Sequence, residues 1–133
     1  MRIIQRDDRR VSVWLRTLER SKVTVIYTYY DPDMILERHG HSSDHVIYIL
    51  KGLLMVGDEE CLPGTAVILE HGATFGPLVA GPEGTELIEF YSGDVTPVPE
   101  DEEAFSALLA ERGVTALTPT FQPREPSGAA PSR

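Results

Sequence analysis

The sequence predicts an all-β domain, a sandwich or barrel of short strands, with one short helix near its C-terminal end. Three observations predict it. Runs rich in Val, Ile, Thr, Tyr and Trp recur between residues 11 and 91, and such side chains suit a pleated, half-buried surface. Turn signals built on Gly and Pro separate these runs about every 8–12 residues, the rhythm of a sandwich or barrel. After Pro97 the apolar residues change to helical spacing.

Taken in order, residues 1–10 mix charges without a clear period and are expected to be irregular or weakly paired. Val11 to Arg16 alternates partly, and Lys22 to Tyr30 is a strongly β-prone run. Asp31-Pro32-Asp33 is a turn signal. Met34 to His41 is the next strand, with Ile35, Glu37, His39 and His41 on one face. His45 to Lys51 follows, closed by Gly52, and Leu53 to Val56 reads as a separate short strand. Gly57-Asp58 turns the chain and Glu59 to Leu62 returns it. Beyond Pro63-Gly64, Thr65 to Leu69 is a buried strand. Phe75 to Val79 begins a strand that Pro77 interrupts, Ala80 to Gly84 reads as a turn, and Thr85 to Tyr91 is the last strand.

The helix is expected near residues 100–112. Glu100 to Glu103 suits a helix N-terminus through the peptide dipoles. Ala104, Phe105, Leu108 and Leu109 share one face, and Gly113 is a stop signal. Residues 1–113 are expected to form a single domain. The tail, 114–133, is Pro-, Ser- and Ala-rich from Pro119 onward, has little to bury, and is expected to be disordered.

Composition narrows the function. A chain of 133 residues supports one core. The net charge of -9 argues against nucleic acid or an anionic membrane surface as the main partner, since phosphate recognition needs basic surface. Cys61 is the one cysteine, so no intrachain disulfide forms, and the cytoplasm is the default compartment. No apolar run approaches the roughly 20 residues that span a bilayer.

The chemistry concentrates in Glu37 to His45. Three of the four histidines, His39, His41 and His45, fall within it. His39 and His41 are two apart, so a strand points both to one face. His45 opens the next apolar run. Imidazole is the commonest neutral metal ligand. Three imidazoles suit Zn, Fe, Ni or Cu better than Mg or Ca. Such a site keeps the full charge of the ion and favours anionic or chelating oxygen ligands. The competing reading leaves the histidines hydrogen-bonded at a barrel mouth with no metal. Glu37 is a candidate base or a partner that orients an imidazole, or else an ion-pair partner for a nearby Arg. Tyr27, Tyr29, Tyr48 and Tyr91 are candidate pocket hydroxyls, Tyr48 the one placed in the pocket with Phe75, and most of the four are expected to be packing residues. His71 reads as an exposed turn residue, and Cys61 as a small buried hydrophobe.

Over residues 23–92 the chain resembles the cupin superfamily. His39-x-His41, three residues, His45, six residues and Gly52 follow the first cupin motif, with His45 where Glu is usual and Asp33 where Gly is usual. Gly64, five residues, Glu70-x-Gly72, two residues and Phe75 follow the second, with Phe75 in place of the metal-binding His. The resemblance implies a jelly-roll β-barrel whose two motifs meet inside. It implies a divalent metal held by His39, His41 and His45, with Phe75 as apolar filler or as the aromatic wall of an open position.

Fold does not fix function. One reading is a metal-dependent enzyme, dioxygenase-like or isomerase/lyase-like, acting on a small anionic or chelating substrate in the barrel. The others are a non-catalytic ligand-binding or sensing module and a metal-free cupin isomerase. A homodimer is expected, because cupins often associate through sheet edges, with the N-terminal strands contributing.

Overall fold

The structure, a computed structural model, describes residues 9–117 and the backbone of residues 3–6. In chain order the strands are β1 (Ile3–Arg6), β2 (Arg9–Glu19), β3 (Thr24–Tyr30), β4 (Ile35–Leu36), β5 (His39–Gly40), β6 (His45–Val56), β7 (Glu59–Cys61), β8 (Ala66–Leu69), β9 (Leu78–Tyr91) and β10 (Val98–Pro99). Helix α1 (Glu102–Glu111) and β11 (Thr115–Leu117) follow. The largest sheet runs β11-β1-β2-β3-β9-β6-β7, with β4 also on β9 and β8 also on β6, while β10 pairs β5. Every pairing is antiparallel.

Two long strands carry the barrel. β6 and β9 pair from His45↔Tyr91 to Val56↔Leu78, with register shifts between Ile49 and Lys51 and between Gly52 and Leu54. At one end β3 and β8 flank them; at the other, β4 and β7 do. Gly52 therefore does not close a strand, and Ala80 to Gly84 is not a turn between strands. Both stretches lie at a corner inside continuous strands. A Cβ on Gly52 would stand 2.1 Å from the Gly84 carbonyl oxygen, and both glycines hold positive φ, +75° and +81°. That conformation and that backbone approach both demand a residue without a side chain.

Alternation sets the inner face. Thr24, Ile26, Thr28 and Tyr30 of β3 are buried, as are His45, Ile47 and Ile49 of β6 and Leu87, Glu89 and Tyr91 of β9. Met34, Ile35 and Leu54 complete the most deeply enclosed apolar centre, each such side chain contributing roughly 1.5–3 kcal/mol by leaving water. Phe105 and Leu109 of α1 join the same core. The Asp101 side chain accepts the Ala104 N–H at 2.9 Å and caps the helix, and Gly113 takes φ +65° just beyond it.

Three other expectations change. Residues 3–6 are paired on both sides, by β2 and by β11. Their weak sequence period is offset by a partner that arrives after the helix, and that partner, Thr115–Leu117, lies within the stretch expected to be a disordered tail. Residues 118–133 lie outside the described residues. Finally, Met34 to His41 is not one strand. Ile35 pairs with Val79 on β9, whereas His39 pairs with Pro99 and bridges to Phe75, so the chain changes partner at Glu37-Arg38. Among the described residues no helix is long and apolar enough to cross a membrane.

Candidate functional site

The change of partner after β4 brings the two sequence motifs together. His39 donates its backbone N–H to the Phe75 carbonyl at 3.0 Å and accepts that of Phe75 at 2.9 Å. Gly72 donates its N–H to the His41 carbonyl at 3.0 Å. The loop into β6 is tied down as well: Asp44 accepts the His71 N–H, and the Ser43 hydroxyl accepts the Gly93 N–H. His39, His41 and His45 consequently share one buried cluster, with ring centroids 5.0 Å apart for His39–His41 and for His41–His45.

Aromatic rings wall this cluster. Phe75 lies 4.6 Å from His39 and 5.6 Å from His45 between centroids. Tyr91 stacks on His45 at 4.0 Å and meets His41 edge-on at 5.0 Å. The His39 Nδ1 lies 2.8 Å from the Glu37 carbonyl oxygen. A carbonyl only accepts, so Nδ1 carries the proton and the lone pair is on Nε2. Both ring nitrogens of His41 and both of His45 are buried without a hydrogen-bond partner. Orphaned buried nitrogens of this kind are costly unless something fills the gap.

Glu89 supplies the carboxylate of the site. It stands on β9 level with Ile47 and Ile26, one inward step from Tyr91. Its Oε1 lies 3.4 Å from His45 Nε2, close enough for an ion pair but making no hydrogen bond, and its Oε2 accepts the Thr28 hydroxyl at 3.0 Å. Burial first, and the Glu89 charge second, push the Tyr30 and Tyr91 hydroxyls well above their usual range, so both remain protonated donors. Glu37 is buried at the cluster's edge, and its charge acts on His39.

Tyr48 is a correction. It alternates away from Ile47, is 41% exposed and lies on the outer face of the sheet, opposite to the side that carries the cluster. The period-two pattern that makes His45 and Ile47 inward already makes Tyr48 outward. Of the four tyrosines read as candidate hydroxyls, Tyr91 does reach the cluster; Glu89 is absent from the sequence-based site, although Thr85, Leu87, Glu89 and Tyr91 alternate visibly. An acidic residue at an inward position of an apolar strand was the signal. His71 is exposed and outside the cluster, and Cys61 is buried.

Desolvation dominates the titration of His39 and His41. It lowers the His41 pKa to about 4, helped by the charges His39 and His45 would carry, and it lowers that of His39. These imidazoles are thus neutral at pH 7, the form that binds a cation. A base whose folded pKa lies below its unfolded value of about 6.5 gives full stability above that pH. Chelator-treated protein is therefore expected to lose stability as pH falls from about 6.5 towards 4, His41 contributing about 1–2 kcal/mol once solvent screening is allowed for. Urea unfolding across this range checks it against His41→Gln, in which that share of the slope should vanish.

No protein-family model matches the sequence, and no curated protein matches it. Solved structures do match. The polyketide cyclase RemF from Streptomyces resistomycificus superposes with a TM-score of 0.59 at 21% identity, covering 72% of this chain and 78% of that one. An RmlC-like cupin from Shewanella frigidimarina gives 0.55 at 20% identity, over 70% and 80%. A sugar phosphate isomerase from a cupin superfamily, from Silicibacter pomeroyi, gives 0.58 at 16% identity, over 68% and 67%. The fold is that of a cupin. In this cupin barrel the first-motif histidines and the second-motif Phe75 do face each other across a backbone bridge. As the side chains stand, the described residues include no group of three or more His, Cys, Asp or Glu positioned to hold a metal ion. The rings instead meet edge to face, at interplanar angles of 83° and 79°.

Proposed function

We propose that the protein is a metal-dependent enzyme acting on a small anionic or chelating organic molecule in the barrel. The observation that carries this reading is the set of four buried ring nitrogens on His41 and His45 that make no hydrogen bond. His39 adds a nitrogen whose lone pair is fixed on Nε2 by the Glu37 carbonyl, the kind of outer contact that orients metal-binding imidazoles. His39, His41 and His45 would hold the ion, after turning about their soft Cβ–Cγ torsions. Zn, Fe, Ni or Cu suits this donor set. Such an ion would supply Lewis-acid polarisation of a bound oxygen or, if iron, dioxygen chemistry.

The chain's own residues define what surrounds that point. Phe75 and Tyr91 exclude water from two sides. Glu89 can take a proton, and the protonated hydroxyls of Tyr30 and Tyr91 can give hydrogen bonds to developing negative charge. Glu37 remains a candidate for orienting His39. Named fold neighbours include a polyketide cyclase and a sugar phosphate isomerase. They support catalysis in such a barrel and leave the reaction open, whether oxygenase-like or isomerase/lyase-like.

A second reading is favoured by the His45–Glu89 contact of 3.4 Å: a metal-free isomerase in which this pair moves the proton. One experiment separates them. Untagged protein is purified, its metal content measured, and a panel of small carboxylates, keto acids and sugar acids screened for turnover with and without chelator. One tightly held divalent ion per chain, with turnover lost on chelation and restored by metal, is expected. Turnover indifferent to chelator would establish the metal-free reading, and tight binding with no turnover would establish a binding module.

A further inference from the structure

The three imidazoles are shut in. His39, His41 and His45 are 8%, 6% and 2% exposed, and Glu89 and Tyr91 beside them are buried too. The segment Ser92 to Glu100, which joins β9 to α1 and includes β10, crosses their end of the barrel. It runs antiparallel beside the chain that bears the histidines. Ser92 donates its N–H to the Asp44 carbonyl at 3.2 Å, Gly93 to the Ser43 hydroxyl at 2.8 Å, Asp94 to the Ser42 carbonyl at 3.3 Å and Glu100 to the Arg38 carbonyl at 3.1 Å. Between these, Val98 pairs with Gly40 and Pro99 with His39. The middle of the segment reaches the His41 ring: burial, the neighbouring imidazoles and Glu89 act on that ring more strongly, and the Thr96 backbone acts on it as well.

We infer that Ser92 to Glu100 is a strap that swings off the histidines to admit a small molecule and then closes over it. Its ends are anchored in the core and its middle is not. Tyr91 is buried just before it, and Phe105 and Leu109 are buried after it. From Ser92 to Glu100 only Val95 is even half-buried, and a segment with so few apolar contacts opens readily. Pro97 and Pro99 have no N–H, which thins the ladder to β5 and stiffens the part that moves. Gly93 is the hinge. A Cβ there would stand 2.7 Å from the Ser42 carbonyl oxygen, so the closed strap needs glycine at this point. At the other end Glu100 ion-pairs with Arg38, whose guanidinium also donates to the Gly76 carbonyl and the Thr74 hydroxyl. The Arg38–Glu100 pair is solvent-exposed, which makes it a weak clasp.

The loop Glu70 to Thr74 at the same end is held harder. Its Ala73 carbonyl oxygen lies so close to Gly40 that a Cβ there would stand 2.9 Å away, and it leads directly into buried Phe75. Ser92, by contrast, borders open space. A cleft of about 550 Å³ already touches Ser92, Tyr91 and His45, and it becomes continuous with the cluster when Ser92 lifts. Closure afterwards keeps water from the reacting groups. Such a strap has a use only if the cluster receives a small molecule, the reading on which this inference rests.

Acylation of the histidines in the chelator-treated full chain tests this with neither metal nor substrate. Diethyl pyrocarbonate acylates neutral imidazole, and peptide mass spectrometry reads each histidine, with exposed His71 as the internal reference. In Arg38→Cys/Glu100→Cys the two positions oppose each other across the strand pair at about 4.5–5.5 Å between Cα atoms, a span that a disulfide bridges. Oxidising that variant should slow acylation of His41 relative to His71 by about tenfold or more, because the local opening is blocked, and reduction should restore it. Gly93→Ala, whose Cβ pushes the strap off Ser42, should speed acylation of His41 severalfold with an unchanged circular dichroism spectrum. It reads the same motion if the double variant does not fold. Acylation of His41 as fast with the strap locked as with it free overturns the proposal, and so does a folded Gly93→Ala acylated at the wild-type rate. A protein that holds no metal yet obeys these rates keeps the strap and loses the metal-dependent reading. One that holds metal while the rates do not move keeps that reading and loses the strap.

Discussion

Replacing His41 by alanine is expected to weaken divalent transition-metal binding by roughly 100-fold or more, since losing even an outer partner of a ligand costs 10–100-fold. His41 is the middle ring, 5.0 Å from each of the other two, and both its nitrogens are buried and unbonded. Without it only two imidazoles of the cluster remain, His39 and His45. The metal-free fold should tolerate the change, because the ring removed made no hydrogen bond whose partner would be stranded. Calorimetric titration with zinc and with nickel, alongside elemental analysis of the purified variant, measures this. Wild-type affinity in His41→Ala would remove the three-histidine site altogether.

Glu89→Gln is the second substitution with a large expected effect. The amide oxygen can still accept the Thr28 hydroxyl, so the fold should persist. The negative charge beside His45 is lost. A cation held by neutral imidazoles should then bind about 10–100-fold more weakly, the range found when a carboxylate behind a metal site is removed. Turnover, once a substrate is known, should fall further if Glu89 also moves the proton, a role typically contributing 10²–10⁴-fold. Unchanged metal affinity would confine Glu89 to packing against Thr28 and the tyrosines.

The strands that form the site were legible because their alternation is clean. Thr24 to Tyr30 is buried at every second residue, and His45, Ile47 and Ile49 repeat the pattern. The corner was not legible. Gly52, and the Gly81 to Gly84 stretch, carry the residues that end strands locally, and only the approach of Gly52 to the Gly84 backbone shows that they bend a strand instead. The pairing of Ile3–Arg6 was hidden for a related reason, because its second partner lies more than a hundred residues downstream. In the site, the histidines were visible by spacing alone. Glu89 was overlooked because a glutamate in a last strand reads as solvent-facing unless its step in the alternation is followed back to Leu87.

The atom that selects the His39 tautomer belongs to the main chain, the carbonyl of Glu37. Point substitution at position 37 changes the side chain and leaves that oxygen where it is. Mutational drift can therefore exchange the acid at 37, and with it the electrostatic setting of the ring, without ever inverting which nitrogen is presented to the barrel. Protonation chemistry and orientation of His39 are in this way separately inherited, one by the residue chosen and the other by the path of the chain.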